Sequence, residues 1–516
     1  MPASQCELKV KLELSDDQLQ LLRANPLTKA DAGGTTQTLR ATYFDTADRR
    51  LRAKGMSLCV QRVGKRWLQT VRMRPRSGNG GARATETASR VTSAQPELAA
   101  IGDKAVRREL RAAVRKAALT PIFNTVIQRT TQAIDLADSD QARIAIDHGT
   151  IVAGDRTSAI SGVEIDLVSA RPAALIGLAA TLVGDGPLRA CAVSLPEQGY
   201  RLVEPVAVPP SRPCKAEPAA LTADQTGLEA FGACVRSASD QIVHNWRVVV
   251  DSDDPEGPHQ LRVGLRRLRT ALRMFRPLAK SEELRALNAK LRNLARLIGE
   301  IRDLDVLTHE IVKPLSDRVG ADRGLRSLLA TLDSESLRWR NEIRAVLAGR
   351  DRSLDLLEIS LLSECLGGQL GRDCRRKLRR PIDKLATRMI ARSWRALAER
   401  GRRLEALDIS ERHEMRKDLK KLRYTVDFLA PLFAPREVRA FLQEAARMQD
   451  VFGYLNDVQL AQRLPEIQAV VETGDVAVQR AVGVAIGWHQ TRAEHAWHDA
   501  RSGWERLQRC HRFWVA

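Results

Sequence analysis

The chain has 516 residues, 44% of them hydrophobic and 28% charged, with a formal net charge of +20. This length exceeds one ordinary core, so two or three domains are expected, and the composition excludes wholesale disorder. The positive balance calls for an anionic partner, while the lack of any 18-residue apolar run excludes a membrane-spanning helix.

Residues 1–7 carry neither a basic segment nor an apolar one, so no secretory leader is expected. The eight cysteines show no C-x-x-C pair and no regular spacing. They read as separate reduced thiols, with neither a disulfide framework nor a zinc site, in a cytoplasmic protein.

The first 204 residues have mostly strand texture. Cys6, Leu8, Val10, Leu12 and Leu14 alternate with Glu7, Lys9, Lys11 and Glu13, and Val163, Ile165 and Leu167 alternate with Glu164 and Asp166. Further strands are expected at 36–46, 57–62, 67–73 and 142–146, with helices at 16–23, 104–118 and 172–182 and a flexible loop at Ser77–Gly81. Strands with one apolar and one charged face predict a curved antiparallel sheet or barrel with a polar interior. The prolines of 205–213 then mark an extended linker, taken as residues 205–219.

From 220 to 516 the texture becomes helical, rich in Leu, Ala, Arg and Glu. His259, Arg262, Arg266, Arg267 and Arg269 recur as His413, Arg416, Lys420, Lys421 and Arg423, each 154 residues later. The same offset relates Gly299 to Gly453, Arg302 to Asn456 and Asp303 to Asp457. A constant offset over so many positions indicates an internal duplication, with halves of about 220–370 and 371–516.

At about 100° per residue, Arg262, Arg266, Arg269 and Arg273 fall within one arc of roughly 60°, with His259 beside it. Leu261, Leu265, Leu268, Leu272 and Phe275 fill the adjoining arc that must face the core. In the second copy Arg416, Lys420 and Arg423 form the basic arc, and Met415, Leu419, Leu422 and Val426 the apolar one. Two such helices related by a pseudo-twofold axis would bring the stripes together across a shallow groove. The bland alternative is a solvated arginine face. Against it stand the duplication in register and the lack of acidic support four residues before the arginines. His259 and His413 are either ligands of phosphate oxygen or helix-start residues. Asp303 and Asp457 are expected to orient an arginine and not to hold a metal. Aromatics make up only 4% of the chain and, Tyr424 aside, none interleave with the stripe. That favours a partner with phosphates and no bases over a specific nucleic acid.

The pattern at 259–269, followed by 297–306, resembles a CHAD domain, as does the second half with Arg423, Tyr424 and 449–457. The resemblance covers about 220–516. It implies an all-α bundle of two pseudo-symmetric halves that binds inorganic polyphosphate, needs no cofactor for binding, and associates with polyphosphate granules in the cytoplasm.

Residues 1–204 resemble a CYTH domain, an α+β antiparallel β-barrel known as the triphosphate tunnel. Tyr43 to Thr46, Gly64 to Thr70, Leu119 to Thr125, Val163 to Leu167 and Gln198 to Leu202 carry this likeness. It implies inward cations that grip triphosphate and inward carboxylates that hold Mg²⁺ or Mn²⁺ for hydrolysis. Lys11, Arg62, Arg72 and Arg129 would be the residual tunnel cations, and Glu7, Glu164 and Asp166 the remaining metal carboxylates. The family pattern is broken at Lys9, where a carboxylate is expected, and at Cys59, Gln61, Val126, Val168 and Leu195, where cations are expected. Those losses predict a degenerate tunnel kept as a scaffold, with no confident catalytic residue. The alternative is a metal-dependent inorganic triphosphatase whose helical domain retains substrate.

Overall fold

The structure is a computed structural model, and it describes residues 8–25, 28, 34–73, 85–136, 141–167, 172–184, 189–190, 194–204, 212–320 and 322–515. Glu7, Val168, the Ser77–Gly81 loop and residues 205–211 of the linker lie outside the described residues.

Among the described residues, nine antiparallel strands form the N-terminal sheet: β1 Leu8–Glu13, β2 Thr35–Asp45, β3 Met56–Val63, β4 Arg66–Met73, β5 Thr85–Val91, β6 Thr120–Asp135, β7 Gln141–Ala153, β8 Arg156–Leu167 and the two-residue β9 Arg189–Ala190. Their order is β5-β4-β3-β2-β6-β7-β8-β1-β9. Helices α1 Asp16–Ala24, α2 Arg50–Ala53, α3 Lys104–Val114, α4 Pro172–Val183 and α5 Leu195–Val203 complete this part. Strand parity divides the sheet into two faces. Val10, Leu12, Ile144, Ile146, Val163 and Ile165 bury themselves against Leu19 and Leu22 of α1 and Leu175, Leu178 and Leu182 of α4. Phe44, Leu58, Val60 and Val71 do the same beneath α2 and α3. The opposite face curls enough that Lys11 of β1 and Arg72 of β4 line one cavity. α5 contributes Leu195, Gln198, Arg201 and Leu202 to the lining of this cavity. A Cβ on Gly199 would fall 2.2 Å from the Phe123 ring, so only glycine fits there.

The helical part comprises α6 Gly227–Asp251, α7 Glu256–Phe275, α8 Glu282–Val306, α9 Lys313–Val319, α10 Arg323–Ala348, α11 Arg350–Cys365, α12 Arg372–Leu378, α13 Ile382–Gly401, α14 Ile409–Leu429, α15 Pro435–Ala461, α16 Gln468–Glu472 and α17 Val476–Arg509. The basic helices α7 and α14 bury the apolar arcs expected of them: Leu261, Leu265, Leu268 and Phe275 in one, Met415, Leu419, Leu422 and Val426 in the other. Asp408 caps α14 through a reciprocal bond set with Glu411, satisfying two backbone donors. A π-helical turn at Leu307–Val312 follows α8.

The chain forms two compact units, and their boundary differs from a single cut at the linker. One unit takes Met1–Pro209 together with Gly349–Gly368; the other takes Pro210–Ala348 and Gln369–Ala516. Leu357, Leu361 and Cys365 of α11 are buried in the same cluster as α1, α4 and the outer face of β1, β7 and β8. A helix encoded in the middle of the helical stretch is therefore part of the core of the first unit. The local sequence cannot announce this, because an apolar helix face reveals that it is buried and not what buries it.

Candidate polyanion-binding site

In the second unit, α7 and α14 place their stripes within electrostatic reach of each other. Arg262 donates to the Asp303 carboxylate of α8 at 3.1 Å and to the Gly299 carbonyl at 3.4 Å. Arg416, its counterpart, donates to the Asn456 side chain of α15 at 3.0 Å. The two halves thus repeat one device, an arginine steadied by the helix that follows. Arg266 donates through Nε to the Tyr424 hydroxyl at 3.0 Å, and its guanidinium lies 5.4 Å from that ring's centre. Arg463, a residue the repeat does not single out, reaches Asp303 at 3.8 Å.

The cost of this crowding appears in the titration of its members. Burial first, then Arg266, Arg416 and Arg262, push the Lys420 ammonium down to about 6. Burial first, joined by Arg266 and Arg262, lowers Arg416 to about 10 against the opposing pull of Asp457 and Asp303. Burial raises the Asp457 carboxyl to about 6, against the pull of Arg416 and Arg302. His259 and His413 are pushed below their ordinary range, first by burial and then by Arg302 and Arg266 for the former and Lys417 and Arg416 for the latter. Four basic side chains from two helices therefore converge where water is scarce, with Asp303 and Asp457 beside them. Like charges held this close repel one another, and burial adds to the cost of keeping them charged.

The stripe continues at one end. Arg269 is brought down to about 10 by burial, Arg273 and Arg292, the last contributed by α8 and not apparent from the repeat. Arg302 faces the other end and donates to Glu310 of the π-helical turn at 2.5 Å. Arg423 lies half-buried on α14.

Two positions of the basic pattern do something else. Arg267 is buried, ion-paired with Asp427 of α14, within hydrogen-bond distance of Ser237, and stacked 4.4 Å from the centre of the Phe428 ring. It joins α7 to α14 and has no free face to offer a ligand. Lys421, its counterpart, sits 3.8 Å from Asp418 on its own helix. Both stand about 100° around the helix from the preceding cation, which is enough to turn them out of the groove.

The first unit contains a cavity of about 1070 Å³ on the curled face of its sheet, lined among others by Lys11, Arg72, Arg129, Asp147 and Glu164. Its charges answer one another. Lys11 lies 2.6 Å from Glu164, its partner in register across β1 and β8. Arg129 is held by both oxygens of Asp147, the residue opposite it on β7, and lies 3.8 Å from Glu164. Asp166 shares the parity of Glu164, with Lys9 and Arg143 as its register neighbours. Arg62 shares the parity of Leu58 and Val60, and it bonds the Gly64 carbonyl and covers Trp67 at the β3–β4 turn. It does not join the cavity wall as expected. Arg201 of α5 does join it, as do Leu195 and Ser194. Two cations lie within 4 Å of the one buried carboxylate, and among the described residues no three His, Cys, Asp or Glu side chains are grouped to hold a metal. A divalent cation at Glu164 would have to displace Lys11 or Arg129, and Glu7 lies outside the described residues.

Comparison with known proteins agrees with this division. Residues 4–198 match the CYTH domain model and residues 233–465 the CHAD domain model. The chain is similar to the CHAD domain of the plant Ricinus communis, with 26% identity and a TM-score of 0.50 over 57% of this chain and 96% of that one. PptA from Streptomyces chartreusis superposes over 54% of this chain and 99% of its own, at 14% identity and a TM-score of 0.41. HpAC1 from Hippeastrum, described as having a dominant triphosphatase activity, covers 39% of this chain and 98% of its own at 15% identity and a TM-score of 0.26.

Proposed function

The chain carries a CYTH domain followed by a CHAD domain, and from that premise we propose that it binds inorganic polyphosphate in the groove between α7 and α14. One observation carries the reading: Arg262, Arg266, Arg416 and Lys420 converge from two helices, and burial first, then the three arginines, hold Lys420 near a pKa of 6. An anion with repeating charge and no bases relieves this repulsion at several points. Arginine forks and a lysine supply donors, and no stacking platform is needed. The groove residues are His259, Arg262, Arg266, Arg269, Arg273, Arg302, His413, Arg416, Lys420 and Arg423, with Tyr424 positioning Arg266. Arg267 serves packing, and Lys421 stands beside Asp418 on its own helix. Binding requires no cofactor, selects no nucleic-acid sequence and involves no membrane. The protein acts in the cytoplasm, at polyphosphate granules where these exist.

Proton linkage tests the assignment. At pH 7 the unliganded Lys420 is largely neutral, and bound phosphate oxygens raise its pKa, so binding takes up protons. Asp457, His259 and His413 shift in the same direction. Calorimetric titration of the full chain with long polyphosphate, in two buffers of different ionisation enthalpy, should show net uptake. Lys420→Met should remove about one proton from it. Without ligand the sign for stability is opposite to that of an ordinary lysine. The unfolded chain holds this proton from about pH 6 up to about pH 10 and the fold does not, so stability rises with pH across that window. Uptake that is zero, or unchanged in Lys420→Met, contradicts the proposed site.

The CYTH unit is proposed as an accessory module without triphosphatase activity. Lys11 and Arg129 already answer Glu164 and Asp147, so triphosphate would have to break Lys11–Glu164 and Arg129–Asp147 before gaining the use of these two cations. Tripolyphosphate hydrolysis by pure protein with Mg²⁺ or Mn²⁺ should stay at the no-enzyme background. Metal-dependent turnover that is lost in Glu164→Gln would reverse this assignment.

A further inference from the structure

The two halves of the helical repeat fill corresponding space differently. In the first, Asp305 of α8 and Arg340 of α10 are both buried and bonded at 2.7 Å, and the Ser336 hydroxyl donates to the same carboxylate. Arg340 and Arg344 also bond backbone carbonyls of Asp253 and Ser252 at the α6–α7 connection, so that region is closed by polar side chains. In the second half the residue 154 positions after Asp305 is Gln459, which is exposed, and the one after Pro258 is Arg412. There α14, α15 and α17 enclose a cavity of about 940 Å³.

This cavity has two chemical ends. Phe452, Leu455 and Trp497 give it an apolar wall, and His413 and Arg416 of the basic stripe line it too, so it opens beside the groove. The size suits a small organic ligand. A bare phosphate chain would lose hydration against the apolar wall with nothing in return, and a purely apolar body would leave Arg416 unanswered. The ligand must combine a phosphate with a flat, partly polar body. Arg412 lies over the Trp497 ring, 3.8 Å from its centre, and guanidinium planes and indoles are the surfaces on which bases stack. Gln459 and Glu494, also lining the cavity, offer an amide and a carboxylate to the edge of a base, groups that an acyl chain would not use.

We propose that this pocket binds a nucleoside phosphate, with the base between α15 and α17 and the phosphates running toward Arg416. The phosphate end rests on the same cations as the polyphosphate reading; the base end is independent of it. The site would let the protein hold a nucleotide next to a polyphosphate chain.

The test is calorimetry on the full chain with three probes: ATP, tripolyphosphate and long polyphosphate, without added metal. ATP should bind about tenfold or more tightly than tripolyphosphate, the margin one stacked base supplies. Ala493→Phe, which places a ring in the cavity from α17 without touching a cation, should abolish that margin and leave tripolyphosphate affinity unchanged. Trp497→Ala should reduce it in the same way, and thermal unfolding shows that each variant is folded. ATP binding no tighter than tripolyphosphate, or a margin that survives both substitutions, overturns the pocket while leaving the groove intact. Loss of long-polyphosphate binding with a retained, Phe-sensitive ATP site would do the reverse: the pocket would stand and the groove reading would fall.

Discussion

Reversing Arg262 and Arg266 to glutamate in the full chain lowers affinity for long polyphosphate by about a hundredfold or more, because two charge-assisted phosphate contacts are each worth roughly 1.5–3 kcal/mol. Reversing Arg416 and Lys420 has a similar effect. The two pairs lie on different helices and in different copies of the repeat, yet Arg262 and Arg266 lower the pKa of Arg416 and Lys420 across the groove. On the proposed reading one ligand spans both pairs, so the fourfold variant should cost more than either pair but less than their sum. The fold survives, since these side chains flank the buried arc and a carboxylate beside the remaining arginines relieves repulsion. Circular dichroism checks the fold. Arg375→Glu with Arg376→Glu on α12 is the control for general charge. A solvated arginine face predicts equal, small effects from all three pairs.

Removing one member of the buried Asp305–Arg340 pair destabilises the helical unit by about 3–5 kcal/mol, because the survivor becomes an uncompensated charge in a dry site. Asp305→Ala and Arg340→Ala should each lower the midpoint of the helical transition in urea, followed at 222 nm. Asp305→Leu combined with Arg340→Met should recover most of the loss, since an apolar pair of similar volume escapes the desolvation cost altogether. A single substitution costing less than about 1 kcal/mol would show that the pair is hydrated. The result also bears on function, because α8 carries Asp303, which steadies Arg262. Tilting α8 would loosen the groove without altering any cation in it.

The repeat made much of the groove legible before any coordinates. A strict offset identifies two equivalent helices, and helical periodicity separates the basic arc from the buried one. Periodicity does not say where a neighbouring helix will lie. Arg266 and Arg267 are adjacent in a run of cations; one meets Tyr424 at the groove, and the other is buried on Phe428 and Asp427. Asp427 and Tyr424 sit three residues apart on α14, and nothing local couples them to α7. Strand parity worked in the same way. It placed Val10, Leu12, Val163 and Ile165 on one face, but β6 is a long strand of mixed polarity with no clean alternation, so Arg129 and its partner Asp147 could be paired only by register. Arg62 was misplaced by one step of the same alternation. The membership of α11 in the first unit and the cavity beside Arg416 depend on contacts far apart in sequence, and they left no local signature.

The most direct measurement is a titration of the full chain with long-chain polyphosphate and with duplex DNA, compared at equal phosphate concentration across a range of salt. A groove that neutralises several phosphates and reads no base edge should prefer polyphosphate at every salt concentration. The logarithm of its affinity should fall steeply and linearly with the logarithm of salt as counterions are released. DNA binding equal to or tighter than polyphosphate binding, or a polyphosphate affinity indifferent to salt, would contradict it.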